Sequence, residues 1–299
     1  TKKLELINRA REVIRGSELL DIQDLKQLCK DLEANDQFAY ATEVLLLIIE
    51  HEEKAGHTFS LKNYQTLAKY IYKDHSLPSS FKFDKALNEL KTHDDLLTTG
   101  KCESLGLAGA IYKRKWMVDH QFRNLILSQH YYKRGFDRWK FFITEKSENR
   151  VPDNDSNDDG YNAINYAYIN DLMAIDRLEQ FSLTIGLTED VLENLSEARK
   201  TRDYIIAQLA VDSDTPEIKQ HLQGIPWVLA TIAEAYFGLY QYDKALQFIN
   251  QYIRLSEINR WETRSFNQQI FSLGYLQLTL KKIYDTQIAN KNKDYEQLR

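Results

Sequence analysis

Apolar positions recur every three or four residues along most of the chain, in runs separated by short polar breaks. This spacing predicts amphipathic helices joined by tight turns. The clearest run is IPWVLATIAEAYFGLYQYDKALQFINQYIRL, residues 225–255. It predicts a helix with Leu229, Ile232, Ala233 and Tyr236 on its inner face, a break from Gly238 to Gln241, and a second helix carrying Tyr242, Ala245 and Ile249. Two such helices form a hairpin.

The large and small anchors of this hairpin resemble a tetratricopeptide repeat (TPR), whose period is about 34 residues. Trp261 follows Trp227 at that distance, so a further hairpin is expected to start near Trp261. Earlier hairpins are more degenerate. Residues 25–50 fit with Leu25, Leu28, Cys29 and Leu32, then Phe38, Ala41, Leu45 and Ile48. The next runs from Tyr64 to Leu90 and carries an insertion containing KDHSLPSS. A third pairs Leu105, Ala108, Gly109 and Tyr112 with Ser128, Tyr132 and Gly135, the glycine letting paired helices approach closely.

Composition agrees with this pattern. The 299 residues include only 11 Gly and 4 Pro, too few for a turn-rich sheet protein. The expected fold class is all-α, a TPR-like helical-hairpin solenoid. Its expected parts are N-terminal repeats over 1–146, an acidic linker loop over 147–160 and C-terminal repeats over 161–299, in one continuous solenoid. The formal net charge of −5 argues against a nucleic-acid polymer as partner and confines any anion site to a local basic patch. Cys29 and Cys102 are too few for a disulfide framework, which points to a reducing compartment and a cytoplasmic location. No apolar run reaches the roughly 20 residues that span a bilayer, and TKKLELINRA has no signal-peptide core, so no membrane association is expected. The start at Thr1 suggests part of a longer polypeptide.

Motifs for catalysis are missing: HExxH, GxSxG, the phosphate-cradling GxxxxGK[ST], and GxGxxG after a strand. The chain therefore reads as a non-enzyme with no catalytic residues, no cofactor and no metal site. His51 and His57 in HEEKAGH are spaced to fall on different helix faces. Asp155, Asn157, Asp159 and Gly160 follow EF-hand spacing, but Tyr166 stands where a bidentate Glu should close the loop, which favours a solvated loop.

Superposing the repeats produces a better constellation. One stripe of each first helix faces the concave side of a TPR array. It falls on Trp227, Ala230, Glu234 and Phe237, then on Trp261, Arg264, Gln268 and Phe271. In the stretch ESLGLAGAIYKRKW, 103–116, it falls on Glu103, Gly106, Ala110 and Lys113, with Arg114 beside it. Trp faces stack on a base, Lys and Arg neutralise phosphate, and a carboxylate or Gln reads ribose hydroxyls. Such a groove suits a flat anionic, nucleotide-derived ligand. The competing reading is core packing for the Trp residues and a solvated, dipole-complementing helix end for the cations.

These stretches also resemble a known family. ESLGLAGAIYKRKW, LSQHYYKRGFD (127–137), GYNAINYAYINDL (160–172), WVLATIAEAYFGL (227–239), YKDHSLP (72–78) and WETRSFNQQ (261–269) look like the TPR-containing TRAF-binding region of apoptosis signal-regulating kinases. They look closer still to its bacterial relatives, the TPR-sensor domain. The match runs from Leu19 to Leu278. It brings in Arg134, and Asn165 within a pattern that is usually Gly-Ile-Asn, where Ala163 here replaces the Gly. The resemblance implies a non-catalytic regulatory module that senses a nucleotide-derived signal and controls a fused or associated effector in bacterial defence or stress signalling. A purely protein-binding scaffold is the alternative, and self-association is left open.

Overall fold

The computed structural model describes residues 2–56, 59–148, 150, 153–181, 188–210, 225–255 and 258–297, and His57 lies outside them. Among the described residues the fold is all-α and TPR-like, with no strand. The helices are α1 (Lys2–Ile14), α2 (Ile22–Ala34), α3 (Phe38–Lys54), α4 (Leu61–Lys73), α5 (Ser79–His93), α6 (Cys102–Asp119), α7 (Phe122–Ser147), α8 (Tyr161–Phe181), α9 (Glu189–Leu209), α10 (Pro226–Gly238), α11 (Tyr242–Tyr252) and α12 (Arg260–Gln297). They divide into two compact units: Thr1–Asn157 with Asn259–Thr263, and Asp158–Ile258 with Arg264–Arg299.

The first unit stacks three helical hairpins, α2 with α3, α4 with α5 and α6 with α7, and the first helices α4 and α6 also meet. Local chemistry sets the ends. Asp21 caps α2 by accepting from the backbone N–H groups of Gln23 and Asp24 at 2.8 and 2.9 Å. At the α2–α3 turn Asp36 takes a left-handed conformation (φ 58°) and Gln37 N–H donates to the Leu32 carbonyl at 2.9 Å. Tyr240 (φ 63°) and the Gln241-to-Tyr236 bond, also 2.9 Å, repeat this geometry between α10 and α11. The two turns are the same repeat element, far apart in sequence.

The small residues of α6 serve its packing on α7. Ser128 Oγ donates to the Gly109 carbonyl at 2.8 Å, and a Cβ on Gly109 would lie 2.9 Å from the Tyr132 ring. In the acidic segment after α7, Asp153, Asp155 and Asn157 are exposed while Ser156 is buried. Lys101 Nζ pairs with Asp155 at 2.7 Å. Ser156 is 1% exposed, its hydroxyl accepting from Arg138 and its carbonyl from the Cys102 thiol at 3.1 Å.

In the second unit α8 pairs with α9 and α10 with α11. Leu229, Ala233, Tyr252 and Phe266 form one core cluster, and Ala174, Leu178 and Val191 form another. In the same unit Arg202 (2% exposed) donates to Asp171 (4% exposed), a buried ion pair. Asp158 caps α8 by accepting from the N–H groups of Gly160 and Asn162 at 3.1 and 2.8 Å. Burial pushes its carboxyl up to about 7, against the lowering effect of those bonds.

A raised carboxyl favours the fold while protonated. The contribution of Asp158 is complete below the unfolded value near 3.9 and is lost as pH rises through about 7. Asp158→Asn is therefore expected to flatten the fall in stability between those two pH values, measured by denaturant titration across the range. An unchanged slope would count against a buried, protonated cap.

Candidate functional site

The site grows from the C-terminal turn of α4. Its inner residues Leu67, Ala68 and Ile71 are buried, which sends Lys69 and Lys73 to the opposite wall. On α2, Glu33 accepts from Lys69 Nζ at 2.7 Å and from the Tyr70 hydroxyl at 2.6 Å. Tyr70 in turn lies 3.7 Å from the Cys29 thiol, and burial raises the thiol to about 11. Lys69 is therefore neutralised within the fold, and Cys29 is an unreactive core thiol.

Lys73 has no such partner. Among the described residues it has neither a hydrogen-bond acceptor nor a carboxylate at pairing distance, and its partly buried side chain places the ammonium against aromatic rings. Nζ lies 3.1 Å from the Trp261 ring centroid and 5.8 Å from those of Phe38 and Tyr72. Burial pushes its pKa well below the ordinary lysine value, and Arg114 and Lys69 lower it further. Ring quadrupoles attract a cation but do not replace water or a carboxylate.

Arg114, on α6, stacks 4.8 Å over the buried Tyr72 ring. Its one hydrogen bond among the described residues runs from Nη1 to the Ala110 carbonyl of its own helix at 3.2 Å. Most of its five donors are left over. Glu103, in the first turn of α6, is reached by solvent, yet the surrounding protein raises its carboxyl pKa. Burial likewise raises Glu262, which accepts from Asn259 N–H at 3.1 Å and counts Lys73 among its charged neighbours. The cations Lys73 and Arg114, the carboxyls of Glu103 and Glu262 and the faces of Tyr72 and Trp261 thus line one wall. The indole Nε1 of Trp261 is also buried without an acceptor.

This arrangement can take an anion on Lys73 and Arg114 and a flat group against the rings. Among the described residues no cluster of three or more His, Cys, Asp or Glu could hold a metal ion, and no helix is long and apolar enough to cross a membrane.

Of the expected site residues in the first unit, Glu103, Arg114 and Trp261 contribute to this wall, and two others are placed elsewhere. Lys113 is 7% exposed, with its ammonium 5.8 Å from the Tyr132 ring centroid. Arg134 clamps the connection before α6, donating to the Leu96 and Thr99 carbonyls at 2.6 and 2.8 Å. In the second unit Trp227 is half exposed, and Arg264 and Gln268 are exposed. Asn165 is buried and donates to the Tyr161 carbonyl at 3.0 Å. Glu234 is buried and accepts from Gln269 at 2.9 Å.

Sequence reasoning missed Lys73, Lys69, Tyr72 and Glu33. The register that selected Glu103 on α6, extended to α4, selects Lys62, Gln65, Lys69 and Tyr72. Extended to α2, it selects Gln23, Lys26, Lys30 and Glu33. Lys73 is beside that stripe, as Arg114 is on α6.

A family model described as Tetratricopeptide Repeats-Sensor matches residues 21–170, a span that includes α2 to α7 and every wall residue except Trp261 and Glu262. No curated protein and no solved structure matches the chain.

Proposed function

We propose a function from the premise that the chain belongs to the Tetratricopeptide Repeats-Sensor family: it is a non-catalytic sensor that binds a small anionic, nucleotide-derived signal on the α4–α6 wall. The observation that carries this reading is Lys73, a partly buried cation that lies over the Trp261 ring with no counter-charge at pairing distance. A fold keeps such a group at a cost in stability, and an anionic ligand offsets that cost. Phosphate would sit between Lys73 and Arg114, the base against Trp261 or Tyr72, and Glu103 would accept from ribose hydroxyls.

Trp261 is in the first turn of α12. A ligand that draws Lys73 off its ring changes what holds the start of that helix, and this shifts the population presented to an effector. The effector is fused or associated, in bacterial defence or stress signalling. Mass spectrometry of small molecules released from the protein as purified, followed by titration with labelled nucleotides, tests the reading. Recovery of a phosphorylated base-containing compound supports it, and failure of every nucleotide to bind removes it.

A second reading, docking of an effector protein, is favoured by a separate observation in the second unit. Phe237, Tyr240, Tyr242, Gly274 and Leu278 line an open cavity of about 580 Å³. Tyr240, Tyr242 and Leu278 are exposed along it, a surface suited to an apolar helix of a partner.

A further inference from the structure

We propose that the outward face of α12 is a self-association surface, on which a second copy of this chain lays its own α12 antiparallel across a two-fold axis. The face runs from Arg264 to Asp285 within the second unit and does not depend on the Lys73 wall. Among the described residues no helix covers it. Phe271 is 77% exposed, Tyr275 55% and Leu278 70%, at the three- and four-residue intervals that keep them in one row. An outer helix of a repeat array ordinarily shows solvent a polar face. This row is apolar and aromatic instead, the composition favoured at the centre of an interface.

The flanking polar residues select the partner. Arg264, Asn267 and Gln268 precede the row and Lys281, Lys282 and Asp285 follow it, all exposed. With the axis between Gly274 and Tyr275, an antiparallel second copy sets Phe271 opposite Leu278, Gln268 opposite Lys281, Asn267 opposite Lys282 and Arg264 opposite Asp285. Every cation then meets an amide or a carboxylate. Parallel pairing in register would set Arg264, Lys281, Lys282 and Asp285 each against its own like charge, which is repulsive. Asp285 pairs with Lys281 of its own helix at 2.8 Å, a surface pair that contributes little alone, and Arg264 of the second copy adds to it without displacing it. The matched stretch is about 32 Å long at the helical rise.

Gly274 is a second, independent observation. A Cβ there would meet only Phe237, at an ordinary 3.7 Å, so packing among the described residues leaves room for alanine. Glycine inside a helix is less stable than alanine, and the chain's own fold gives no return for it here. A two-fold partner does, because Tyr275 of the second copy crosses Gly274 and a side chain would hold it off. Beside the glycine opens the cavity of about 580 Å³ between α12 and the α10–α11 turn. Its walls are fixed before anything docks: the Tyr242 hydroxyl donates to Gln277 at 3.0 Å, and Gln277 donates to the Phe237 carbonyl at 2.8 Å. Phe271 of the second copy, set opposite Leu278, is the side chain placed to enter it. The axis makes each of these contacts twice.

Sedimentation equilibrium of the full chain over a range of concentrations tests the proposal. The parent is expected to dimerise, and Leu278→Glu and Phe271→Glu are each expected to raise the dissociation constant about a hundredfold or more, because every substitution occurs twice in a two-fold interface. Both positions are exposed, so circular dichroism should match the parent. Gly274→Ala is expected to weaken the dimer while helix content holds or rises. Arg264→Glu should weaken pairing roughly tenfold, and Arg264→Glu combined with Asp285→Arg should restore it, because the exchanged charges face each other again. A parent that stays monomeric at about 100 μM, a dimer undiminished in Leu278→Glu, or a charge exchange no stronger than Arg264→Glu alone overturns the proposal. A monomeric parent that takes an apolar helical peptide in the cavity overturns it in favour of effector docking.

Discussion

Arg114→Glu is expected to weaken nucleotide binding by about a hundredfold or more, the scale for losing one partner of a desolvated charge pair. The guanidinium is fixed against Tyr72 and spends one donor on its own helix, so the change removes an oriented anion ligand and adds a repelling charge. A solvated helix-end arginine would cost about 0–1 kcal/mol instead. Lys73→Met is expected to lose binding too, but with the opposite effect on the fold. Methionine lies against Trp261, Phe38 and Tyr72 without bringing a charge, and removing a partly buried cation with no counter-charge is expected to stabilise the fold, by less than the roughly 1–4 kcal/mol of replacing fully buried ion pairs.

The pH dependence of that gain fixes its cause. The folded pKa of Lys73 lies below its unfolded value, so the penalty is complete below the folded value and vanishes as pH rises to the unfolded value near 10.4. The stability advantage of Lys73→Met should therefore shrink as pH rises. Thermal melts of parent and variant at several pH values measure it. A variant that melts lower than the parent at neutral pH would show that Lys73 is structural and not held for a ligand.

Helix content, the hairpin order and the TPR spacing were legible because each depends on local patterns: anchors three and four residues apart and short polar turns. The wall was half legible. Arg114, Glu103 and Trp261 could be placed by register, because a stripe on a helix survives as a sequence interval. Lys113 and Arg134 could not, because a cation's partner is decided by packing: one falls against the Tyr132 ring, the other onto two loop carbonyls. Lys73 was obscured for a different reason. It opens the KDHSLPSS insertion, and only the rings of Phe38 and Trp261, distant in sequence, make it unusual. Within the acidic segment the partners of Ser156 and Asp158 were not legible, because composition does not record which backbone groups a side chain or carbonyl meets.

The largest expected loss of stability comes from one methyl group, Gly238→Ala. A Cβ at this position would overlap the guanidinium of Arg202 from Nε to Cζ, and the side chain has little room to withdraw, being 2% exposed. Moving it parts Arg202 from Asp171, whose carboxyl is already raised by burial and is held down by that guanidinium. Breaking a buried pair while leaving one charge behind costs about 3–5 kcal/mol, a large part of the roughly 5–15 kcal/mol that holds a domain together. Removing both charges with Asp171→Leu and Arg202→Met should cost much less, and in that background Gly238→Ala should be nearly neutral. Denaturant unfolding of the set closes the cycle. If Gly238→Ala alone stays within about 1 kcal/mol of the parent, Arg202 can shift without leaving Asp171, and the glycine is not what positions the pair.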